Sequence, residues 1–219
     1  MFDSLVLGVI MYGIELIGWK ESGEMERIQL EYIKWTLGLD RCTPGYMVLA
    51  ETNREKIRVK AGRRAMKFEE GVGTSTDRLI LKECFKEKDT NIVSKEREEY
   101  LRRNGYSRQG IDKLRERGEN IVLELTTRDK QVQEQEQFNE IGNAKYNTIY
   151  KFIGKIGLAG YLEAKGRGES QKLTARVRCG NLEERNKYWM NEDGKLCELC
   201  LLEEGTIKLK YRNAKNERE

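Results

Sequence analysis

The sequence predicts a mainly α protein, and three observations predict it. Pro44 is the only proline in 219 residues, where average usage gives roughly ten. Charged residues make up 36% of the chain against a typical value of about a quarter, and Lys, Glu and Arg are good helix formers. Apolar residues recur at helical spacing in several segments, and no stretch reads as a strand. The expected architecture is a small helical bundle over residues 1–73, a charged and loosely packed helical linker over 74–168, and a helix followed by an irregular tail over 169–219.

The run Leu5–Trp19 is the first element. Leu5, Val6, Leu7, Val9, Ile10, Met11, Tyr12, Ile14, Leu16, Ile17 and Trp19 would cover every face of a helix, and such a helix must be enclosed by protein. It carries Glu15, lacks a basic leader and is shorter than a membrane span needs. A buried core helix is therefore expected. Residues 1–70 offer too little chain to enclose it, so the polypeptide is expected to start inside a domain, or to self-associate through Leu5–Trp19.

Ser22 is the expected N-cap of the next helix, with Glu24 and Glu26 in its first turn. Met25, Ile28, Tyr32, Trp35 and Leu39 form its apolar stripe, and Gly38 marks its end. Thr43 should cap a short helix that has Pro44 at its first position. A basic helix follows from Arg54 and stops near Gly71 and Gly73. Further helices are expected over 77–88, 94–103, 107–117, 127–141 and 170–179. The tract Lys130–Glu140 is almost wholly polar, which suits a solvent-bridging helix or a partly disordered one.

The basic helix is the most informative element. Arg54–Lys67 holds seven Lys/Arg against one Glu. Lys56, Lys60, Arg63 and Lys67 recur at i, i+4, i+7 and i+11, so they share one helical stripe. Ile57, Ala61 and Phe68 form an adjacent stripe interrupted by Arg64. A row of cations one turn apart suits a phosphate backbone and gives affinity without reading sequence. A solvated helix face carries the same charges and stands as the alternative. The basic character is local: the net charge is +4, and residues 1–40 carry three cations against seven anions.

Most enzymatic chemistry is excluded. The chain contains no histidine, which removes Ser/His and Cys/His nucleophilic catalysis. Adjacent acids such as Glu69-Glu70, Glu98-Glu99 and Glu183-Glu184 sit among mixed charges and read as surface. No aspartate pair of the two-metal kind and no phosphate-binding glycine loop occurs. Cys197 and Cys200 are half of a tetrahedral zinc site, but no cysteine follows them in the remaining nineteen residues, so no metal or other cofactor is expected. Five cysteines without a regular framework point to a reducing compartment, nucleus or cytoplasm. Trp35, Tyr46, Tyr188 and Trp189 lie near cations and are candidates for stacking on unpaired bases, although Trp35 sits on the apolar stripe and is expected in the core.

Leu7–Leu39, the Thr43-Pro44-Gly45-Tyr46 turn and Val48–Glu51 resemble the region after the palm in reverse transcriptases of non-LTR (LINE-type) retrotransposons. The matching residues are Met11-Tyr12-Gly13, Glu15, Trp19, Gln29, Trp35, Leu37-Gly38, Pro44 and Glu51. Arg178-Cys179-Gly180-Asn181, Arg185, Tyr188-Trp189 and the Cys197/Cys200 pair resemble the carboxyl-terminal end of such polyproteins, where a Cys-Cys-His-Cys zinc knuckle follows a helical linker. The resemblance implies that residues 1–73 correspond to the thumb, which grips template and primer. It places the catalytic aspartates upstream of Met1 and the missing knuckle ligands near Leu209 and Ala214. The implied protein is a degenerate reverse-transcriptase fragment, not an enzyme, that binds RNA or RNA/DNA duplex without sequence preference through Lys56, Lys60, Arg63, Lys67, Tyr188 and Trp189. The alternative is a helical interaction module that docks on a partner through an exposed apolar amino-terminal helix.

Overall fold

A computed structural model describes residues 2–74, 79–87, 92–145, 150–153, 157–163 and 168–181. Every regular element among them is helical, and none is a strand. A π-helical turn over Phe2–Val6 leads into α1 (Leu7–Ile10), α2 (Ile14–Ile17), α3 (Gly23–Leu37), α4 (Gly45–Thr52) and α5 (Ile57–Thr74). Then come α6 (Leu79–Glu87), α7 (Ile92–Arg103), α8 (Arg108–Glu116), α9 (Ile121–Gly142), α10 (Tyr150–Ile153), α11 (Gly160–Glu163) and α12 (Gly168–Cys179). None of the described helices is long and apolar enough to cross a membrane.

The chain forms two compact units, and their boundaries differ from the sequence expectation at 73 and 168. The first comprises Met1–Tyr32 and Asn53–Asn143; the second comprises Ile33–Thr52 and Ala144–Glu219. The region expected to be a loose linker contributes most of one buried cluster in the first unit. Tyr100, Leu101, Ile111, Ile121 and Leu125 pack with Trp19, Ala65 and Met66 in one buried cluster. Apolar residues are sparse in α7–α9, but Tyr100, Leu101, Ile111, Ile121 and Leu125 fall on the inward side of their helices, and that placement is what packing requires. Leu123 and Phe138 of α9 face outward.

Helix α5 is the axis of the first unit, packed against α2 and α9. Its first N–H groups have no acceptor inside the helix, and remote side chains supply them. Arg58 N donates to Glu26 Oε1 at 2.8 Å, and Lys56 N donates to Gln133 Oε1 at 2.7 Å. Gln29 Nε2 and Gln133 Nε2 donate in turn to the carbonyls of Glu55 and Arg54. The helix therefore begins at Ile57, three residues later than the charge pattern suggested.

Two sequence expectations are corrected here. Leu5–Trp19 is not one enclosed helix, because Gly13 adopts φ +69° and separates α1 from α2. Met11, Ile14 and Trp19 are buried, whereas Leu5, Val9, Tyr12, Leu16 and Ile17 are exposed. Gly18 lets this segment approach α5 closely: a Cβ there would lie 2.7 Å from the Ala61 carbonyl oxygen. Helix α3 is rotated from the expected phase by one residue. Its buried side carries Glu26, Gln29, Ile33 and Leu37, while Ile28 is exposed and Trp35 is 75% exposed. Core placement of Trp35 is thus overturned, because the buried positions are taken by polar groups that bond backbone near α5.

The second unit is held around Glu51 and Asn181. Asn181 Oδ1 accepts from the Thr43 hydroxyl at 2.7 Å and from Asp40 N at 3.3 Å. Its own N–H reaches back to the Arg176 carbonyl at 2.7 Å, and Gly180 sits at φ +73°. This is the left-handed closure that ends a helix and satisfies its last carbonyls. Met47, Val48, Leu49, Tyr150, Ala175 and Cys179 are buried around it.

Candidate nucleic-acid interface

The four cations singled out on the basic segment divide into two pairs. Lys56 Nζ lies 3.3 Å from Glu136 and 3.7 Å from Glu21. Lys60 Nζ lies 3.4 Å from Asp3 Oδ1. Both are half-buried and engaged by carboxylates. Arg63 and Lys67 are exposed, and neither has an ion pair or hydrogen bond among the described residues. Lys56 precedes the first turn of α5, so only Lys60, Arg63 and Lys67 share the helix proper.

Two further cations flank the row, and sequence reasoning did not assign them to it. Arg64 is half exposed, donates to the Met11 carbonyl at 3.1 Å and lies 3.8 Å from Glu15. It stands beside Arg63 and one turn from Lys60 and Lys67, so it widens the basic surface instead of interrupting an apolar one. Arg54, just ahead of the helix, forms a fork with Asp3: Nη1–Oδ1 at 3.1 Å and Nη2–Oδ2 at 2.9 Å. The Arg54 bond is the largest influence on Asp3 and holds its carboxyl below the ordinary value.

Arg58 has the opposite fate. It is 4% exposed and makes ion pairs with Glu21, Asp129 and Glu136 at 3.3, 3.7 and 3.1 Å. Arg103 approaches Glu21 and Asp129 from α7. Burial raises Asp129 above its usual carboxylate range, with the Arg58 and Arg103 charges opposing that rise. Burial also pushes Glu21 up, but the Arg58 and Lys56 charges outweigh it and leave that carboxyl low. This cluster ties α5, α7 and α9 together and takes Arg58 away from the surface.

Tyr188, Trp189, Cys197 and Cys200 lie outside the described residues. No group of acidic or thiol side chains that could hold a metal occurs among the described ones. Cys179 is buried, and burial together with the neighbouring Glu51 charge pushes its thiol up to about 12, which disfavours the reactive thiolate.

The residues that carried the family resemblance have defined structural duties. Gln29 is fully buried and bonds the chain entering α5. Glu51 is fully buried and accepts from Arg178 Nε at 3.0 Å and from the Tyr161 hydroxyl at 2.8 Å. Thr43 and Asn181 meet directly. Compared with protein-family models, with curated proteins and with solved structures, the chain matches none.

Proposed function

We propose that this chain derives from the thumb and carboxyl-terminal region of a non-LTR retrotransposon reverse transcriptase and grips RNA or RNA/DNA duplex without sequence preference. The observation that carries the reading is the exposure of Arg63 and Lys67, without an ion-pair partner among the described residues and one turn apart on a helix fixed at its start by Glu26 and Gln133. Pre-positioned cations at one-turn spacing neutralise successive phosphates and release their counterions, which makes binding salt-dependent. Further support comes from Glu51–Arg178 and Thr43–Asn181, where residues from the two ends of the resemblance bond one another. Titration of labelled RNA and RNA/DNA duplex across salt concentrations, with and without Arg63→Ala/Lys67→Ala, tests the proposal. Binding that does not weaken with salt, or that the double variant leaves unchanged, would contradict it.

One observation favours a second reading, a helical interaction module. Val9 and Tyr12 are 78% and 91% exposed, with Leu5, Leu16 and Ile17 exposed nearby in sequence. Light scattering of the full chain separates the two: mass that rises with concentration in the absence of nucleic acid favours the interaction module.

A further inference from the structure

We infer that Arg54 and Lys60 form a second phosphate site, closed in this structure by the carboxylate of Asp3, which acts as an internal competitor for nucleic acid. This inference rests on the binding function proposed above and extends it to the half of the basic surface that is masked. Three features of the structure make Asp3 more than an incidental surface partner.

The first is position. Phe2 is 2% exposed and packs on the Tyr32 ring at a centroid distance of 4.9 Å, so the turn that carries Asp3 is anchored in the unit's interior. Asp3 itself stays half exposed. The second is geometry. Both carboxylate oxygens face the two terminal nitrogens of Arg54, at 3.1 and 2.9 Å, and Oδ1 also lies 3.4 Å from Lys60 Nζ. A phosphodiester offers the same two-oxygen edge and one negative charge to a guanidinium fork. The third is retention of the cations. Arg54 rests over the Phe2 ring at 5.7 Å, a contact that stays when the carboxylate leaves. Lys60 stays on the α5 stripe, one turn before Arg63.

Replacement of Asp3 by a phosphate therefore exchanges one surface ion pair for another, in a place continuous with Arg63 and Lys67. Exposed pairs of this kind are weak and screened by salt. A polyanion held on the neighbouring cations competes for them, but the tethered carboxylate is itself at high local concentration and keeps them engaged. The wild-type protein should then bind with part of its basic surface engaged internally, and removing the Asp3 charge should release it.

The experiment measures anisotropy of a labelled single-stranded RNA against the full chain over a range of salt. Asp3→Asn keeps the size of the side chain and its capacity to accept a hydrogen bond. It should tighten binding several-fold at low salt and steepen the logarithmic salt slope by about 0.7 to 1.4, for one or two added phosphate contacts. Adding Arg54→Ala and Lys60→Ala to Asp3→Asn should return affinity and slope to wild-type values. Circular dichroism melts of each variant separate this from loss of the Phe2 anchor: affinity that rises with an unchanged melt supports the site, and a rise that tracks unfolding overturns it. If Arg63→Ala/Lys67→Ala flattens the wild-type slope but Asp3→Asn changes nothing, the second site is wrong and the binding function stands. If the wild-type chain shows no salt-dependent binding, both fall.

Discussion

The Glu51 carboxylate, fully buried, lies 2.9 Å from Arg178 Nη2 and takes two further bonds from Arg178 Nε at 3.0 Å. Arg178 Nη2 also donates to the Ile153 carbonyl, and the Glu51 main-chain oxygen accepts from Ala159 N. One pair thus links α4 to the segments around α10, α11 and α12 within the second unit. Removing the arginine would leave a buried carboxylate with no cation beside it among the described residues, only tyrosine hydroxyls. Arg178→Ala should cost about 3 kcal/mol, seen as a lower urea midpoint in circular dichroism. Lys at 178 should restore only part of that stability, because it lacks the planar fork.

Gly62 should tolerate no side chain. A Cβ at that position would lie 2.6 Å from the Tyr100 ring, and Tyr100 is buried in the core with Trp19 against its edge. Gly62→Ala is expected to destabilise the first unit by about 1–3 kcal/mol through overpacking. Gly71→Ala on the same helix meets open space and should stabilise by up to about 1 kcal/mol through helix propensity. Thermal melts of the two variants should move in opposite directions.

Glu26 offers a pH test with a definite sign. Burial raises its carboxyl above the ordinary 4.5, against the backbone donors of Arg58 and Ile57 that favour the charged form. The folded state therefore holds the proton at higher pH than the unfolded state does. The associated stabilisation is present below the unfolded value and is lost as pH rises through the raised folded value. The stability difference between wild type and Glu26→Gln should accordingly shift against wild type as pH climbs upward from 4.5. A difference that is flat with pH would contradict the burial of this carboxyl.

Cysteine reactivity should follow exposure and thiol acidity. Cys42 and Cys84 are exposed, whereas Cys179 is buried with its thiol pushed up to about 12. In variants retaining a single cysteine at pH 8, Cys42 and Cys84 should react quickly with a disulfide reagent. Cys179 should react only after denaturant is added, because the thiolate is the attacking species. Rapid labelling of native Cys179 would count against the packing around Glu51.

Local signals were readable along the chain and long-range ones were not. Ser22 receives the Met25 N–H as its residue type foretold, and the helix expected from 107 begins there, with Ser107 capping α8 through Gly110 N. Gly38, at φ +64°, ends α3 where periodicity stopped. The buried face of α3 was misjudged because Glu26 and Gln29 are inside, and their burial is compensated by backbone 26 to 32 residues away in sequence. Likewise α9 reads as polar, yet Asp129 and Gln133 are buried because Arg58, Arg103 and the start of α5 receive them. The cations of α5 were legible as a row. Their division into engaged and open pairs was not, since Asp3 and Glu136 lie 57 and 80 residues from the lysines they bind.

The central claim is that Arg63 and Lys67 are held open for phosphate, and the salt dependence of RNA binding tests it most directly. Each contact with a single strand contributes about 0.7 to the logarithmic slope. Arg63→Ala/Lys67→Ala should therefore flatten the wild-type slope by about 1.4, equally for RNAs of unrelated sequence and with no change in the thermal melt. A slope that stays where it was, in a folded double variant, would contradict the account.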